Sequence, residues 1–112
     1  MTMRTVLNLP IDEQYVETRG PMKVDRRSRA SGLTEMATGF SEFVETTSYG
    51  PETLPYDETL YVLDGELTVT YAGSEIVGRP GDLLSLERGS TITVKGVRGT
   101  RLLYSVAPVP LT

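Results

Sequence analysis

The sequence predicts an all-β fold made of several short strands, and three observations lead to this prediction. Apolar and polar residues alternate with the period of two that is typical of half-buried strands, most clearly over residues 67–71. Turn-forming residues recur at intervals of roughly 8 to 12 residues, as in a sandwich or barrel. The 112 residues, 38% of them hydrophobic, suffice for one modest core, so we expect residues 1–112 to form a single domain.

The elements follow from this alternation and from the glycine and proline residues between the apolar runs. Pro108 and Pro110 should end the last strand, because proline cannot donate a hydrogen bond to a ladder. We expect no helix. Residues 48–55 contain two prolines and a glycine and are predicted to form a loop that leads into the strand of Glu58. The predicted strands cover residues 13–18, 22–26, 36–47, 56–63, 67–71, 76–77, 83–86, 91–95 and 102–106.

Composition excludes several classes of function. The net charge of −4 and the sequence pI of about 4.8 repel nucleic acid, so no nucleic-acid partner is expected. The absence of cysteine excludes disulfides and thiolate chemistry. No apolar run reaches the roughly 20 residues of a membrane span, and none near the N-terminus is long enough for a signal peptide. We therefore expect a cytoplasmic protein with no membrane partner.

One local cluster departs from the acidic character of the chain. Arg26, Arg27 and Arg29 follow Arg19 and Lys23 closely in the sequence. Such a basic run is usually a solvated loop or sheet edge. The alternative is that its guanidinium groups capture a carboxylate or a phosphate.

A single stretch, residues 55–67, is the most informative part of the chain. In it Glu58 is separated by six residues from Gly65, and Gly81 and Gly89 follow downstream. This order and spacing resemble the two motifs of the cupin superfamily, whose members are RmlC-like jelly-roll β-barrels. Within that superfamily the chain resembles the C-terminal cupin domain of the EutQ family of ethanolamine utilization. The segments that carry this resemblance are residues 36–40, 56–58, 62–67, 81–82, 89–90 and 101–104.

The chain departs from the cupin pattern at the metal ligands. The resemblance implies that the histidine positions of metal-binding cupins fall at about Glu52, Leu54 and Ile92, and this chain contains no histidine. Two carboxylates, Glu52 and Glu58, form a poor site for transition metals, which favour nitrogen or sulfur donors. We therefore expect no metal and no cofactor, although oxygen ligation of Mg or Ca stays open. Glu87 replaces the usual proline of the second motif, and the EutQ family resembles this chain in lacking the metal ligands.

The candidate site follows from strand alternation. Tyr56 and Glu58 share one face of their strand, and the cupin resemblance implies that this face is the inner one. A carboxyl group in an apolar cavity has a raised pKa and can act as a general acid or base near neutrality, so Glu58 and Tyr56 are the candidate catalytic residues. Alternatively, Glu58 is a structural carboxyl that is hydrogen-bonded to Tyr56 or Tyr104, and Asp57 caps a turn. The candidate ligand-binding residues are Glu52, Asp57, Glu87 and Tyr104.

Three functions remain open at this point. The first is binding of a small polar metabolite in the barrel, in an accessory role in small-molecule catabolism as the EutQ resemblance implies. The second is a metal-independent isomerase, cyclase or lyase that uses Glu58 with Tyr56 or Tyr104. The third is the acetate kinase activity ascribed to EutQ, although the sequence has no glycine-rich phosphate loop with a lysine. We also expect a homodimer through an outer face that carries Tyr61 and Leu63, together with residues 6–7.

Overall fold

The computed structural model describes residues 5–109, which form ten strands in two antiparallel sheets. One sheet has six strands in the order β1, β2, β3, β10, β5, β8, and the other has four in the order β4, β9, β6, β7. The all-β prediction is confirmed. The strands are β1 (Val16–Arg19), β2 (Met22–Asp25), β3 (Ala37–Phe43), β4 (Thr47–Thr53), β5 (Asp57–Asp64), β6 (Leu67–Tyr71), β7 (Ser74–Gly78), β8 (Leu83–Leu86), β9 (Thr91–Gly96) and β10 (Arg101–Ala107).

The two sheets enclose a hydrophobic core formed by their inward-facing side chains. Burial alternates along β5, where Leu60 and Val62 are buried while Thr59 and Tyr61 are exposed. This pattern follows from the pleat, because successive side chains of a strand point to opposite faces. The predicted alternation is therefore observed. The core consists of Phe43, Leu54, Leu60, Val62, Leu67, Val69, Leu84, Leu86, Ile92, Val94 and Leu102.

At one end of the barrel the sheets meet in direct contact, and we call this the closed end; it is formed by Phe43, Gly65, Gly96 and Thr100. Phe43 and Thr100 are both 0% exposed. A Cβ at Gly96 would meet the Phe43 ring, and a Cβ at Gly65 would meet Thr100. The Thr100 hydroxyl accepts a hydrogen bond from the Glu66 N–H and donates one to the Glu66 carbonyl, both at 3.0 Å. This end therefore has no room for a ligand.

The segment that leads into β5 differs from its prediction. Residues 48–55 were expected to form a loop, but Thr47–Thr53 is strand β4 and pairs with β9. The pairing is irregular between Tyr49 and Glu52, at Gly50 and Pro51. Such an interruption is tolerated because β4 is the edge strand of its sheet. Only one side of an edge strand pairs with a neighbour, so the N–H that proline lacks is not needed on the other side.

Two other boundaries also differ from the sequence prediction. The predicted strand over residues 36–47 divides into β3, which ends at Phe43, and β4, which begins at Thr47. The predicted strand over residues 13–18 begins as the 3-10 turn Glu13–Tyr15, in which the Asp12 side chain accepts a hydrogen bond from the Gln14 N–H. A second 3-10 turn covers Arg27–Ala30, and residues 5–109 contain no helix of the length and apolar character that crossing a bilayer requires. Pro110 lies outside the described residues.

Candidate functional site

A cavity of about 520 Å³ opens between the two sheets, away from the closed end. Its volume is in the range of about 300–1,000 Å³ that is typical of small-molecule sites. Apolar side chains of both sheets form part of its wall. Its ionisable groups are of three kinds: the carboxylates of Glu17, Glu52 and Glu58, the phenols of Tyr49, Tyr56 and Tyr104, and the guanidinium groups of Arg19, Arg26 and Arg29. The hydroxyls of Ser28, Ser31 and Ser41 also line it.

Glu58 points into this cavity from β5. Its Cα partners are Val106 on β10 and Leu86 on β8, so apolar strands flank it on both sides. Burial, and after it the charge of Glu52, raises the pKa of Glu58 from the ordinary 4.5 to about 7. Within residues 5–109 the Glu58 carboxyl makes no hydrogen bond, so the structural alternative of a bond to Tyr56 or Tyr104 is not observed. Glu58 is thus a carboxyl of raised pKa that lines the cavity.

Glu52 reaches the cavity from the opposite sheet. It lies on β4 next to Ile92 of β9, and both side chains line the cavity. Its charge contributes to the raised pKa of Glu58, as a nearby like charge does. The cavity therefore holds a pair of carboxyls contributed by different sheets.

Two tyrosines lie beside these carboxyls. Burial, and after it the charge of Glu58, raises the pKa of Tyr56 above its ordinary value. The Tyr104 ring lies over Gly39, where a Cβ would collide with its hydroxyl. Burial also raises the pKa of Tyr104, although Arg26 acts in the opposite direction. Both phenols therefore stay protonated at neutral pH and can donate hydrogen bonds into the cavity.

Asp57 and Glu87 do not join this group. The Asp57 Oδ1 accepts a hydrogen bond from the Arg88 N–H at 2.8 Å, so Asp57 caps the turn that follows β8. Both carboxylates line a separate, shallower depression whose wall also includes Glu58 and Ser85. The structure thus brings Glu52, Tyr56, Glu58 and Tyr104 together in the cavity and leaves the other two candidates outside it.

The structure adds residues that the sequence analysis did not select as site residues. Tyr49 lines the cavity and stacks on Phe43, with ring centroids 6.4 Å apart. Arg26 and Arg29, from the basic run, also line it. The signal for Arg26 was the strand pattern itself, because Met22 and Val24 of β2 face the cavity and Arg26 continues their alternation.

The residues at the cupin metal positions do not fit a transition metal. Leu54 is 2% exposed in the core and Ile92 presents a hydrocarbon side chain to the cavity, which leaves Glu52 and Glu58 as donors. Within residues 5–109, no three histidine, cysteine, aspartate or glutamate side chains are clustered as a metal site requires. Two carboxylates without imidazole or thiolate are a poor donor set for iron, copper, nickel or zinc.

The two antiparallel sheets in this strand order form an RmlC-like cupin fold. An RmlC-like cupin from Shewanella frigidimarina shares the fold, with a TM-score of 0.78 at 18% identity over 97% of each chain. More specifically, the chain belongs to the EutQ family, because the model of ethanolamine utilisation protein EutQ matches residues 18–111. The predicted family and fold are confirmed.

The chain is similar in sequence and in structure to EutQ of Salmonella typhimurium. It is 35% identical over 75 residues to a protein named acetate kinase EutQ, and this match covers 67% of the chain but 32% of the relative. The chain thus spans about a third of that curated relative. The crystal structure of an ethanolamine utilization protein Q superposes with a TM-score of 0.67 at 28% identity, covering 80% of this chain and 71% of that one.

Proposed function

We propose that the cavity binds a small polar metabolite and that the chain has a binding or accessory role in ethanolamine catabolism. The observation that carries this proposal is the half-buried Glu58 carboxyl, which lines the cavity and makes no side-chain hydrogen bond to another residue within 5–109. Its oxygens are therefore available to hydrogen-bond a polar ligand that enters the cavity.

The surroundings of Glu58 support a small ligand with several polar groups. Tyr56 and Tyr104 offer hydroxyl donors, and Glu52 offers an acceptor from the opposite sheet. Apolar side chains such as Ile92 and Val106 fill the wall between these groups. A few convergent polar groups on an apolar wall are typical of metabolite sites.

A second candidate, metal-independent acid–base catalysis, is favoured by the pKa of Glu58. A group with a pKa of about 7 can accept and return a proton at neutral pH. Tyr56 or Tyr104 would then stabilise developing negative charge on the substrate by donating a hydrogen bond. Isomerases, cyclases and lyases that act on small polar substrates use chemistry of this kind.

Glu58→Gln separates binding from catalysis. Glutamine keeps the shape of the protonated carboxyl and a hydrogen-bonding amide, but it cannot transfer a proton. We expect the variant roughly to retain the affinity for ethanolamine, acetate or related polar compounds. The tyrosine fluorescence of this tryptophan-free chain reports this binding. Any turnover should be abolished. Glu75→Gln, on the exposed outer strand β7, is the matched control. If the wild-type protein binds none of these compounds, the binding proposal is contradicted.

The acetate kinase activity in the names of the relatives is the third candidate. Neither of the two lysines of the chain, Lys23 and Lys95, lines the cavity, so phosphate binding would depend on arginine. Mg bound to ATP would have to be held by Glu52, Glu58 or Asp57. Acetyl phosphate formation from acetate and Mg-ATP tests it directly, and a melting temperature that ATP does not raise would argue against it.

We further propose that the chain forms a homodimer through the outer face of the six-stranded sheet. Tyr61 of β5 and Leu83 of β8 are cross-strand partners on that face and are 37% and 64% exposed. Neighbouring exposed apolar side chains favour association with a second copy. Light scattering should give twice the monomer mass, and Leu83→Lys should restore the monomer.

A further inference from the structure

An irregularity in strand β4 determines the direction in which Glu52 points. Tyr49 of β4 lies opposite Val94 of β9, and Glu52 lies opposite Ile92. Between these partners β9 advances by two residues, from 94 to 92, whereas β4 advances by three, from 49 to 52. One extra residue in one strand of a pair is a β-bulge, and it changes the face to which the following side chains point. We call this irregularity the β4 bulge.

The β4 bulge turns Glu52 into the cavity. Ile92 and Val94 are two residues apart on β9 and are both buried, so the residues opposite them also face the interior. In a regular strand, a residue three positions after Tyr49 would point to the opposite, outer face. Tyr49 and Glu52 both line the cavity instead.

Gly50 allows the backbone to take this path. Its φ is +110°, in the region that glycine adopts without a steric cost. A Cβ at this position would also lie 2.7 Å from the Ile92 carbonyl oxygen. The residue that forms the bulge is therefore the one type that fits there, which makes the inward position of Glu52 a specific property of this sequence.

Glu52 has no counter-ion among residues 5–109. It forms no ion pair and no hydrogen bond with any of them. Two of the arginines that line the cavity, Arg19 and Arg26, are paired with Glu17 instead, and Arg29 is also engaged in an interaction. Glu52 is exposed in the open cavity, so a ligand can reach its carboxylate.

We propose that Glu52 selects a primary ammonium group of the ligand and that the β4 bulge positions it for this role. This inference rests on the proposed binding function and specifies its ligand as a small amine with a hydroxyl group, which reaches Glu58. An ammonium group donates charge-assisted hydrogen bonds to a carboxylate. Tyr49 and Tyr56 line the same cavity, and tyrosine rings attract cations to their faces.

The test compares aminobutanol with butanediol, its neutral counterpart, by tyrosine fluorescence titration of the whole chain. Aminobutanol is protonated at neutral pH and should bind roughly tenfold or more tightly, because it adds a charge-assisted hydrogen bond to Glu52. Added salt should weaken the binding of the amine and leave that of the diol unchanged, since the charge of an exposed carboxylate is screened.

Three variants locate the effect at Glu52. Glu52→Gln keeps the size of the side chain but removes its charge, so it should abolish the preference for the amine while butanediol binds as before. Glu52→Asp keeps the charge and should retain part of the preference. Glu75→Gln removes one carboxylate from the exposed outer strand β7 and is the matched control.

Deletion of Gly50 tests the positioning role of the β4 bulge. Without the extra residue the pairing with β9 can become regular, and Glu52 then faces outward. We expect the deletion variant to lose the amine preference and to keep butanediol binding, a selective loss that general destabilisation would not produce. Circular dichroism checks its fold; if it does not fold, Gly50→Ala, which places a Cβ against the Ile92 carbonyl, should weaken the preference in the same way.

The outcomes separate this inference from the function on which it rests. Equal or tighter binding of butanediol, or an amine preference that survives in Glu52→Gln, overturns the inference and leaves metabolite binding in place. A folded deletion or Gly50→Ala variant with the full preference overturns the role of the bulge. No binding of aminobutanol overturns the inference, and if butanediol, ethanolamine and acetate also fail to bind, the proposed function fails with it.

Discussion

Strands β5 and β10 run through both ends of the barrel but carry different inward side chains at each. Toward the closed end they bury Val62 and Leu102, which are 0% and 3% exposed. Toward the cavity the same strands carry Glu58 and Tyr104, neither of which hydrogen-bonds a protein group within residues 5–109. Burial and the nearby Glu52 disfavour the charged form of Glu58, so the open end is not arranged for stability alone. The comparison separates the residues that maintain the fold from those available for a ligand.

Phe43→Ala should have the largest effect on stability, because it removes the ring that fills the closed end. The ring is fully buried and packs against Gly96, so its removal leaves a cavity that the sheets cannot fill by collapse. We expect a loss of about 3–5 kcal/mol in the free energy of unfolding, measured with urea. Phe43→Leu should cost less. A loss below about 1 kcal/mol would mean that the closed end does not dominate stability.

Glu58→Gln should change the pH dependence of stability. The folded pKa of about 7 lies above the ordinary 4.5, so between these values the unfolded chain binds fewer protons and the wild type loses stability as pH rises. The full loss is roughly 3 kcal/mol as an upper bound, from about 1.4 kcal/mol for each pKa unit. The variant should lack this loss and be more stable than the wild type at pH above about 7. Parallel pH profiles of the two proteins would contradict the raised pKa, and Glu75→Gln should follow the wild type.

Thr100→Val tests a hydroxyl at the closed end. Its Oγ1 is buried and makes two hydrogen bonds with the backbone of Glu66. Valine has the same shape but leaves the Glu66 N–H without its partner, while the Glu66 carbonyl keeps its bond from the Val97 N–H. The unpaired N–H should destabilise the fold by about 1–3 kcal/mol. Thermal unfolding monitored by circular dichroism measures this, and an unchanged melting temperature would show that water replaces the hydroxyl.

Tyr56→Phe provides the matched test at the open end and should have the smallest effect on stability. The Tyr56 hydroxyl makes no hydrogen bond with residues 5–109, so we expect a change within about 0.5 kcal/mol. Affinity for a polar ligand should nevertheless fall several-fold. A variant that loses stability as Thr100→Val does would remove the distinction between the two ends.

The sequence predicted one wall of the site well. The alternation through β5 put Glu58 on the same face as Leu60 and Val62. The cupin resemblance implied that this face is the inner one. The cupin resemblance assigned Glu52, Leu54 and Ile92 to histidine positions, and the structure places Glu52 and Ile92 in the cavity wall and Leu54 in the core.

The rest of the site depends on contacts between distant parts of the chain. Gly50 and Pro51 are residue types typical of loops, and their segment is a strand because it pairs with β9. The basic run looks like a solvated surface until β2 pairs with β3 and carries Arg26 to the cavity. Neither pairing has a signal within a short window of sequence, because register is set by the whole sheet.

Pro51 in the edge strand β4 has a consequence for the behaviour of the protein in concentrated solution. A regular edge strand presents a row of free N–H and C=O groups on which another chain can add a strand, which is how many β proteins aggregate. Pro51 lacks an N–H, and the ladder is already irregular between Tyr49 and Glu52. This edge is therefore a poor template for strand addition, which protects the segment carrying Glu52 from intermolecular β-pairing.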